Sequence, residues 1–317
     1  MPERVIIYAS LGLRSGTSEL LWAFRKKNTL EEFPVYLDDH PFQVQGKIRE
    51  EMMHGMRTAD IVLVPHYVAL KMHEEGWFTP HDLKDIGAYP QKFYDKKLNW
   101  FAAGITFMTM AHNPKRIPVK DLPESLDEIA SPRWKGKLGM QSLTTSKFGN
   151  IGAHYMNFLR TKVTRKRWVE FLESLAGPNK PLTYDCIDHL LQGLIDGDHK
   201  LSLTVYSLAY FRERTAGSPV RSFEKEEIPR MLTFTTAALL RTAKDNKSAR
   251  KFMDFLLGED GQSLIGRITG ISPSMPGKKA GYPFEVEYSA KDVFHPVAED
   301  LESLPATLET FSELRLP

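Results

Sequence analysis

The residues best placed to meet a ligand lie in loops that directly follow short apolar, β-branched runs. The first loop, Ser10 to Ser18, carries Ser10, Arg14, Ser15, Gly16 and Thr17 after the run Val5 to Ala9. The second, Gln141 to Asn150, carries Ser142, Thr144, Thr145, Ser146 and Lys147. Hydroxyls and backbone N–H groups at a helix start suit a carboxylate, a phosphate or a similar oxyanion, and a guanidinium such as Arg14 adds a two-pronged contact. Ser and Thr are also the usual helix caps, and for either loop alone capping is the stronger reading. Their occurrence in two separate parts of the chain is what favours a ligand. His66 and Tyr67 follow the run Asp60 to Pro65, and Tyr206 and Tyr210 lie at the end of and just beyond the run Leu201 to Tyr206. The phenols suit a cleft, with core packing of one tyrosine as the alternative. Trp134, in PRWKGK, reads as a packing anchor.

Other chemistries find no foothold. Gly12 and Gly16 fit neither the dinucleotide fingerprint nor the phosphate loop, because no third Gly and no Gly-Lys-Ser/Thr follow. The 10 histidines never form a His-Glu-x-x-His pair, and no Gly-x-Ser-x-Gly elbow is present. The expectation is no metal, no cofactor and no catalytic group. The 1 cysteine, Cys186, forbids an intramolecular disulfide and reads as a buried small apolar residue. A net charge of +2 is far from the basic field of a dedicated nucleic-acid binder. The opening MPERVIIYAS lacks the apolar stretch of a signal peptide, which fits a cytoplasmic chain or one whose leader has been replaced.

The elements that must position these residues alternate. A length of 317 residues favours two cores over one. Strands are expected at Val5 to Ala9, Val35 to Asp38, Asp60 to Pro65, Gly104 to Ala111, Lys137 to Gln141, Leu201 to Tyr206 and Met231 to Leu240. Helices are expected after Ser18, then over Gln45 to Met56, Leu122 to Ala130, Arg165 to Leu175, Asp185 to Ile195, Lys247 to Leu257 and near Pro296 to Leu304. Strand and helix in turn are the signature of an α/β fold, in which ligands meet the carboxyl ends of the strands.

Five segments in this order resemble the extracellular solute-binding proteins that serve ABC importers, with the ferric-iron binders as the nearest subgroup: YASLGLRSGTSELLWAFRKK, ADIVLVPHY, SLDEIASPRWKGKLGMQS, YSLAYFRERTAGSPV and MDFLLGEDGQSLIGRITGISPSMPG. The resemblance covers about residues 5 to 276. It implies a two-lobed type II periplasmic-binding-protein-like fold with two crossing strands as the hinge. The lobes would be residues 1–108 plus 234–275 and residues 109–233, with the tail 276–317 packing across them. It further implies capture of a small solute by hinge closure, delivery to an ABC permease in the membrane, and a periplasmic or extracellular location with the native leader missing from this chain. Ferric binders use adjacent tyrosines in the second lobe and often a His and an acidic residue from the first, whereas Tyr206 and Tyr210 are not adjacent and the first loop offers Ser, Arg and Thr where the His would be expected. An anion therefore suits the candidates better than iron. The expected ligand-binding set is Ser10, Arg14, Ser15, Thr17, His66, Thr144, Thr145, Ser146, Tyr206 and Tyr210. An enzyme on the same architecture, drawing on Cys186, Asp185 and His66, and a sensory ligand-binding module remain the alternatives.

Overall fold

The structure is a computed structural model that describes residues 4–10, 14–28, 34–143, 150–267, 271–281, 286, 288 and 292–316, the side chains of residues 14–17 and 298 excepted. The chain divides into two compact units, Met1–Thr106 with Thr233–Tyr288 and Phe107–Leu232 with Ser289–Pro317.

In the first unit, β1 (Ile6–Ala9), α1 (Arg14–Asn28), β2 (Val35–Asp38), α2 (Pro41–Met53), β3 (Ile61–Pro65) and α3 (His66–Glu74) follow one another. Each helix returns the chain so that the next strand runs parallel. Ala9 accordingly lies opposite both Asp38 of β2 and Leu63 of β3. β3 is apolar and buried at every position, as a strand covered on both faces must be. β4 (Phe101–His112), buried along its whole length, then carries the chain out of the first unit between Thr106 and Phe107.

The second unit contains α4 (Leu126–Ala130), β5 (Leu138–Gln141), α5 (Ile151–Arg160), α6 (Arg165–Ala176), β6 (Leu182–Tyr184), α7 (Ile187–Asp196), β7 (Leu201–Tyr206), α8 (Ser207–Thr215) and β8 (Arg221–Phe223). β5 pairs in parallel with β6 and β7, with Gln141 opposite Tyr184 and Gly139 opposite Ser202. β9 (Met231–Leu239) brings the chain back to the first unit and pairs antiparallel with β3, Thr235 facing Pro65. α9 (Lys247–Leu257), α10 (Glu259–Ile265) and β10 (Ser272–Pro273) complete the first unit, and α11 (Ala298–Glu313) packs on α5 in the second. No helix among the described residues is long and apolar enough to cross a membrane.

Several boundaries depart from expectation for identifiable reasons. α2 starts at Pro41, ahead of the apolar periodicity, because proline at the first helical position has its φ preset and no N–H to lose. β6 went unforeseen because Leu182 and Thr183 are both exposed, which erases the alternation that marks a strand. α11 runs on past Leu304 with Pro305 inside it, held by the burial of Phe311 in the unit's core. Cys186, expected as a buried apolar residue, is half-buried because it occupies the N-cap position of α7.

Both cores are pinned by buried amides whose hydrogen bonds are met, which is what makes such groups tolerable away from water. In the first unit, fully buried Gln262 donates to the carbonyls of Ala103 at 2.9 Å and Leu256 at 3.1 Å, while its oxygen accepts from the Ser274 N–H at 2.8 Å. In the second, Asn157 donates to the Asp300 carbonyl at 3.0 Å and accepts from the Thr307 hydroxyl at 2.6 Å, tying α5 to α11. Trp134 is buried in the core, as an anchor should be.

β5 approaches His199 so closely that only glycine fits at position 139, where an added Cβ would stand 2.5 Å from the imidazole. The ring is held there by Ser202 at 2.7 Å and Tyr184 at 3.1 Å. Gly139→Ala should therefore destabilise the protein by about 2 kcal/mol in urea unfolding, and by well under half of that in a His199→Ala background. Equal costs in the two backgrounds would contradict this contact.

Candidate functional site

Parallel pairing places the carboxyl ends of β1, β2 and β3 on one edge of the first unit. Ser10 leaves β1 there, its N–H donating to the Leu63 carbonyl at 2.8 Å, and the Asp39 N–H donates to the Ala9 carbonyl at 3.0 Å. Asp39 and His40 lead into α2, with the Asp39 carboxylate accepting from the His40 N–H at 2.7 Å. Pro65 ends β3, and His66 is the first residue of α3. Its imidazole is buried against Trp100 at 4.7 Å and Phe234 at 5.2 Å and is hydrogen-bonded to the Thr236 hydroxyl at 3.0 Å. Burial away from water pushes its pKa down to about 3, so the ring is neutral at any ordinary pH.

The second unit repeats the arrangement. β5 and β6 end level at Gln141 and Tyr184, parallel β7 runs on to Tyr206, and the Ser142 N–H donates to the Tyr184 carbonyl at 3.1 Å. α7 starts after Cys186 and α8 after Tyr206. Asp188 in the first turn of α7 is paired with Arg212 of α8. Gln141 presents a buried side-chain oxygen with no hydrogen-bond partner among the described residues.

Most helices that start on these edges lack a side-chain cap, and most that start elsewhere have one; α10, which follows Gly258 with no side-chain cap, is the exception away from the edges. α4, α6 and α9 are each capped by a side chain: Ser125 accepts from the Glu128 N–H, Thr164 from that of Arg167 and Asn246 from that of Ala249. The first turn of α11 is closed by the Asp300 carboxylate, which accepts from the Val297 N–H at 2.9 Å. On the edges, α2, α3, α7 and α8 begin at His40, Pro65, Cys186 and Tyr206 with no side-chain cap at all. Among the described residues only α5 is capped there, by Asn150 on the Ala153 N–H at 3.0 Å. Uncapped first turns leave N–H groups and the positive end of the helix dipole for water or an anion to satisfy; α2 offers the fewest, because Pro41 has no N–H and the Gln43 N–H donates to the His40 carbonyl at 2.9 Å.

The residues singled out from sequence fare unevenly. Ser10, His66 and Tyr206 stand on the edges described, and Tyr206 is half-buried at the N-cap position of α8. Tyr210 lies one turn further on, buried against Phe107 and Phe211, its oxygen accepting from the Ser222 N–H at 3.3 Å. That phenol faces the interior of the unit. Arg14, Ser15 and Thr17 belong to the first turn of α1, but their side chains lie outside the described residues, as do Thr144, Thr145 and Ser146 altogether. Sequence reasoning passed over Asp39, His40 and Gln141. The first two were findable, since a strand ending in Asp-Asp-His ahead of a proline announces a helix start at a strand's carboxyl end. No group of three or more His, Cys, Asp or Glu among the described residues could hold a metal ion.

Comparison with known proteins agrees with this geometry. The family model described as "Bacterial extracellular solute-binding protein" matches residues 57–293. The major ferric iron-binding protein of Neisseria gonorrhoeae is 23% identical over 221 residues, which cover 68% of this chain and 62% of that protein's length, short of two thirds. The solved structure of iron-bound HitA from Pseudomonas aeruginosa superposes with a TM-score of 0.80 at 18% identity, over 99% of each chain. AfuA from Actinobacillus pleuropneumoniae, a periplasmic binding protein solved with exogenous fructose-6-phosphate, gives 0.74 at 16% identity over 98% of this chain and 96% of its own. The fold is thus the two-lobed α/β fold of periplasmic binding proteins.

Neutral, buried His66 makes a testable contribution to acid stability. Its pKa is depressed in the folded state, so the stability it confers is complete above the unfolded value of about 6.5 and is lost as the pH falls from there towards 3. Between pH 7 and pH 5 the parent should lose about 1–2 kcal/mol more unfolding free energy than His66→Asn. Identical losses in urea titrations at the two pH values would show that the ring already titrates as if in water.

Proposed function

Because the chain belongs to the family of bacterial extracellular solute-binding proteins, we propose that it is the solute-capturing component of an ATP-driven importer, that it takes a small anionic solute outside the cytoplasmic membrane and that it hands this solute to a membrane permease. The protein binds and releases and performs no chemistry. The observation that carries the anionic assignment is the set of four uncapped helix starts, α2, α3, α7 and α8, at the carboxyl ends of the parallel strands. An oxyanion accepts those N–H groups and is attracted by the dipoles behind them. Ser10, the hydroxyls of Ser15 and Thr17, the Arg14 guanidinium, the Thr144 to Ser146 loop and Tyr206 supply the remaining donors. β4 and β9, which each run from one unit into the other, act as the hinge, and the solute stabilises the closed form through contacts that only that form completes.

Ferric iron is the second reading, favoured by the Neisseria protein's name and by the iron in HitA. Tyr210 counsels against it. Hard Fe(III) wants anionic oxygen ligands, and this phenol is buried beside Ser222, Phe107 and Phe211. The sugar phosphate in AfuA shows that one neighbour of this fold was solved with an anionic organic ligand.

Native mass spectrometry of protein purified without denaturation should release a small anion. That anion should raise the melting temperature of the parent, by an amount equivalent to about 2.7 kcal/mol at a hundredfold excess over Kd. Ser15→Ala combined with Thr145→Ala should abolish the shift while leaving the unliganded melting temperature within a degree or so. A coloured protein with a tyrosinate-to-iron charge-transfer band would replace the anion by iron. A double variant stabilised as strongly as the parent would remove the two loops from the site.

A further inference from the structure

At the opposite end of the second unit's strands, just ahead of β5 and β7, a pocket of about 190 Å³ is lined by Arg116, Arg133, Lys137 and Lys200, with Trp134 beneath and Asp121 as its one carboxylate. Four cationic heads around one concavity repel one another unless something negative lies among them. Some such groups elsewhere are paired, as Arg167 is with Glu227 at 2.8 Å and Arg49 with Glu75 at 2.9 Å, while others, such as Arg250, stand singly and donate to carbonyls; what sets this corner apart is that four converge on one pocket. Here none of the four has a carboxylate partner among the described residues.

Three of the four heads are nonetheless held in place, and the fourth residue, Lys200, is positioned through its backbone. Arg133 donates to the Asp121 carbonyl rather than to its carboxylate and lies over the Trp134 ring, 5.6 Å from its centre. Lys137 donates to the Arg133 carbonyl at 2.6 Å. The Lys200 N–H donates to the Lys137 carbonyl at 2.8 Å, which sets the two lysines side by side at the entry to their strands. Arg116 donates to the Asp196 carbonyl at 2.8 Å, at the end of α7. It lies over Gly197, whose φ of +93° turns the chain and where a Cβ would come within 2.7 Å of the guanidinium. The side-chain bonds of Arg116, Arg133 and Lys137 each use one N–H and leave the others of that fork or ammonium available. Trp134 contributes a further oddity, a buried indole N–H with no hydrogen-bond partner among the described residues.

From this convergence we infer that the PRWKGK corner, with Arg116 and Lys200, is a second anion site, separate from the carboxyl edges and selective for a small soluble phosphate, either inorganic phosphate or a phosphate monoester. Several donors approaching from different backbone segments match a tetrahedral dianion with several acceptor oxygens better than a flat carboxylate. The two lysines are half-buried, which limits the solvent screening of such a pair. The pocket exceeds the roughly 30 Å³ of one water several times over, so an oxyanion has room in it. Bound phosphate would brace β5, β7 and the end of α7 without touching the solute site.

Calorimetric titration of the whole protein with sodium phosphate tests this. Lys137→Gln with Lys200→Gln should weaken phosphate binding at least about tenfold, as the loss of two charge-assisted contacts requires. Gly197→Ala, which keeps every charge but displaces Arg116, should weaken it measurably too. Lys115→Gln with Lys135→Gln, which removes as much charge from nearby exposed positions, should leave it within about twofold. Ser15→Ala with Thr145→Ala should also retain it, so that failure here and failure of the solute site are told apart. Equal weakening by the Lys115/Lys135 control would reduce the pocket to diffuse attraction and overturn the site. So would loss in the Ser15/Thr145 variant alone, or cosedimentation with phosphatidylglycerol vesicles in the absence of any heat with phosphate.

Discussion

Everything functional in this protein depends on a constraint of parallel pairing: strands that run the same way must end on the same edge, and the helices that follow them must begin there. Ala9 opposite Asp38 and Leu63, and Gln141 opposite Tyr184, are the register contacts that impose this in each unit. The consequence within each unit is a group of helix N-termini that start on its own carboxyl edge. A protein concerned only with stability would cap them, as this one does at Ser125, Thr164 and Asn246. Leaving α2, α3, α7 and α8 without side-chain caps forgoes about 1 kcal/mol at each start. A site that binds an anion recovers that cost only when it is occupied.

Behind the edges the units are rigid for reasons unconnected with ligand. Gln262 ties β4, the end of α9 and the segment at Ser274 together, and Asn157 ties α5 to α11, each with its polar atoms satisfied. Breaking either would strand a buried amide. His66 belongs to this class as well. It stands at the head of α3, where a charged ligand group could have been, and the structure uses it as a neutral packing and hydrogen-bonding residue. The polar interior fixes where the strands end, and the edges inherit their precision from it.

Much of the architecture was legible in the residues. The alternation of apolar runs with helical periodicity announced the α/β elements, and the long runs at Gly104 to Ala111 and Met231 to Leu240 fall on the strands by which the chain leaves and re-enters the first unit. What stayed hidden was governed by exposure and by partners distant in sequence. β6 has two exposed residues out of three and so no pattern to read, and α11 continues through a proline because Phe311 is buried in a core that no local signal describes. The site was legible by place rather than by side chain. Position after a strand picked out Ser10, His66 and Tyr206 correctly as edge residues, but it could not tell that the Tyr210 oxygen would accept from the Ser222 N–H or that the His66 ring would turn towards Trp100. Asp39 and His40 were missed because the helix was expected only from Gln45, which left them in an unremarked connection.

Hydrogen exchange read by mass spectrometry, comparing protein that retains its copurified solute with the same protein stripped and refolded, tests the central claim most directly. Bound anion should slow exchange in the first turns of α2, α3, α7 and α8, in both units at once, because those amides become its donors. Slowing confined to one unit, or absent from all four helix starts while the solute is demonstrably bound, would contradict the account.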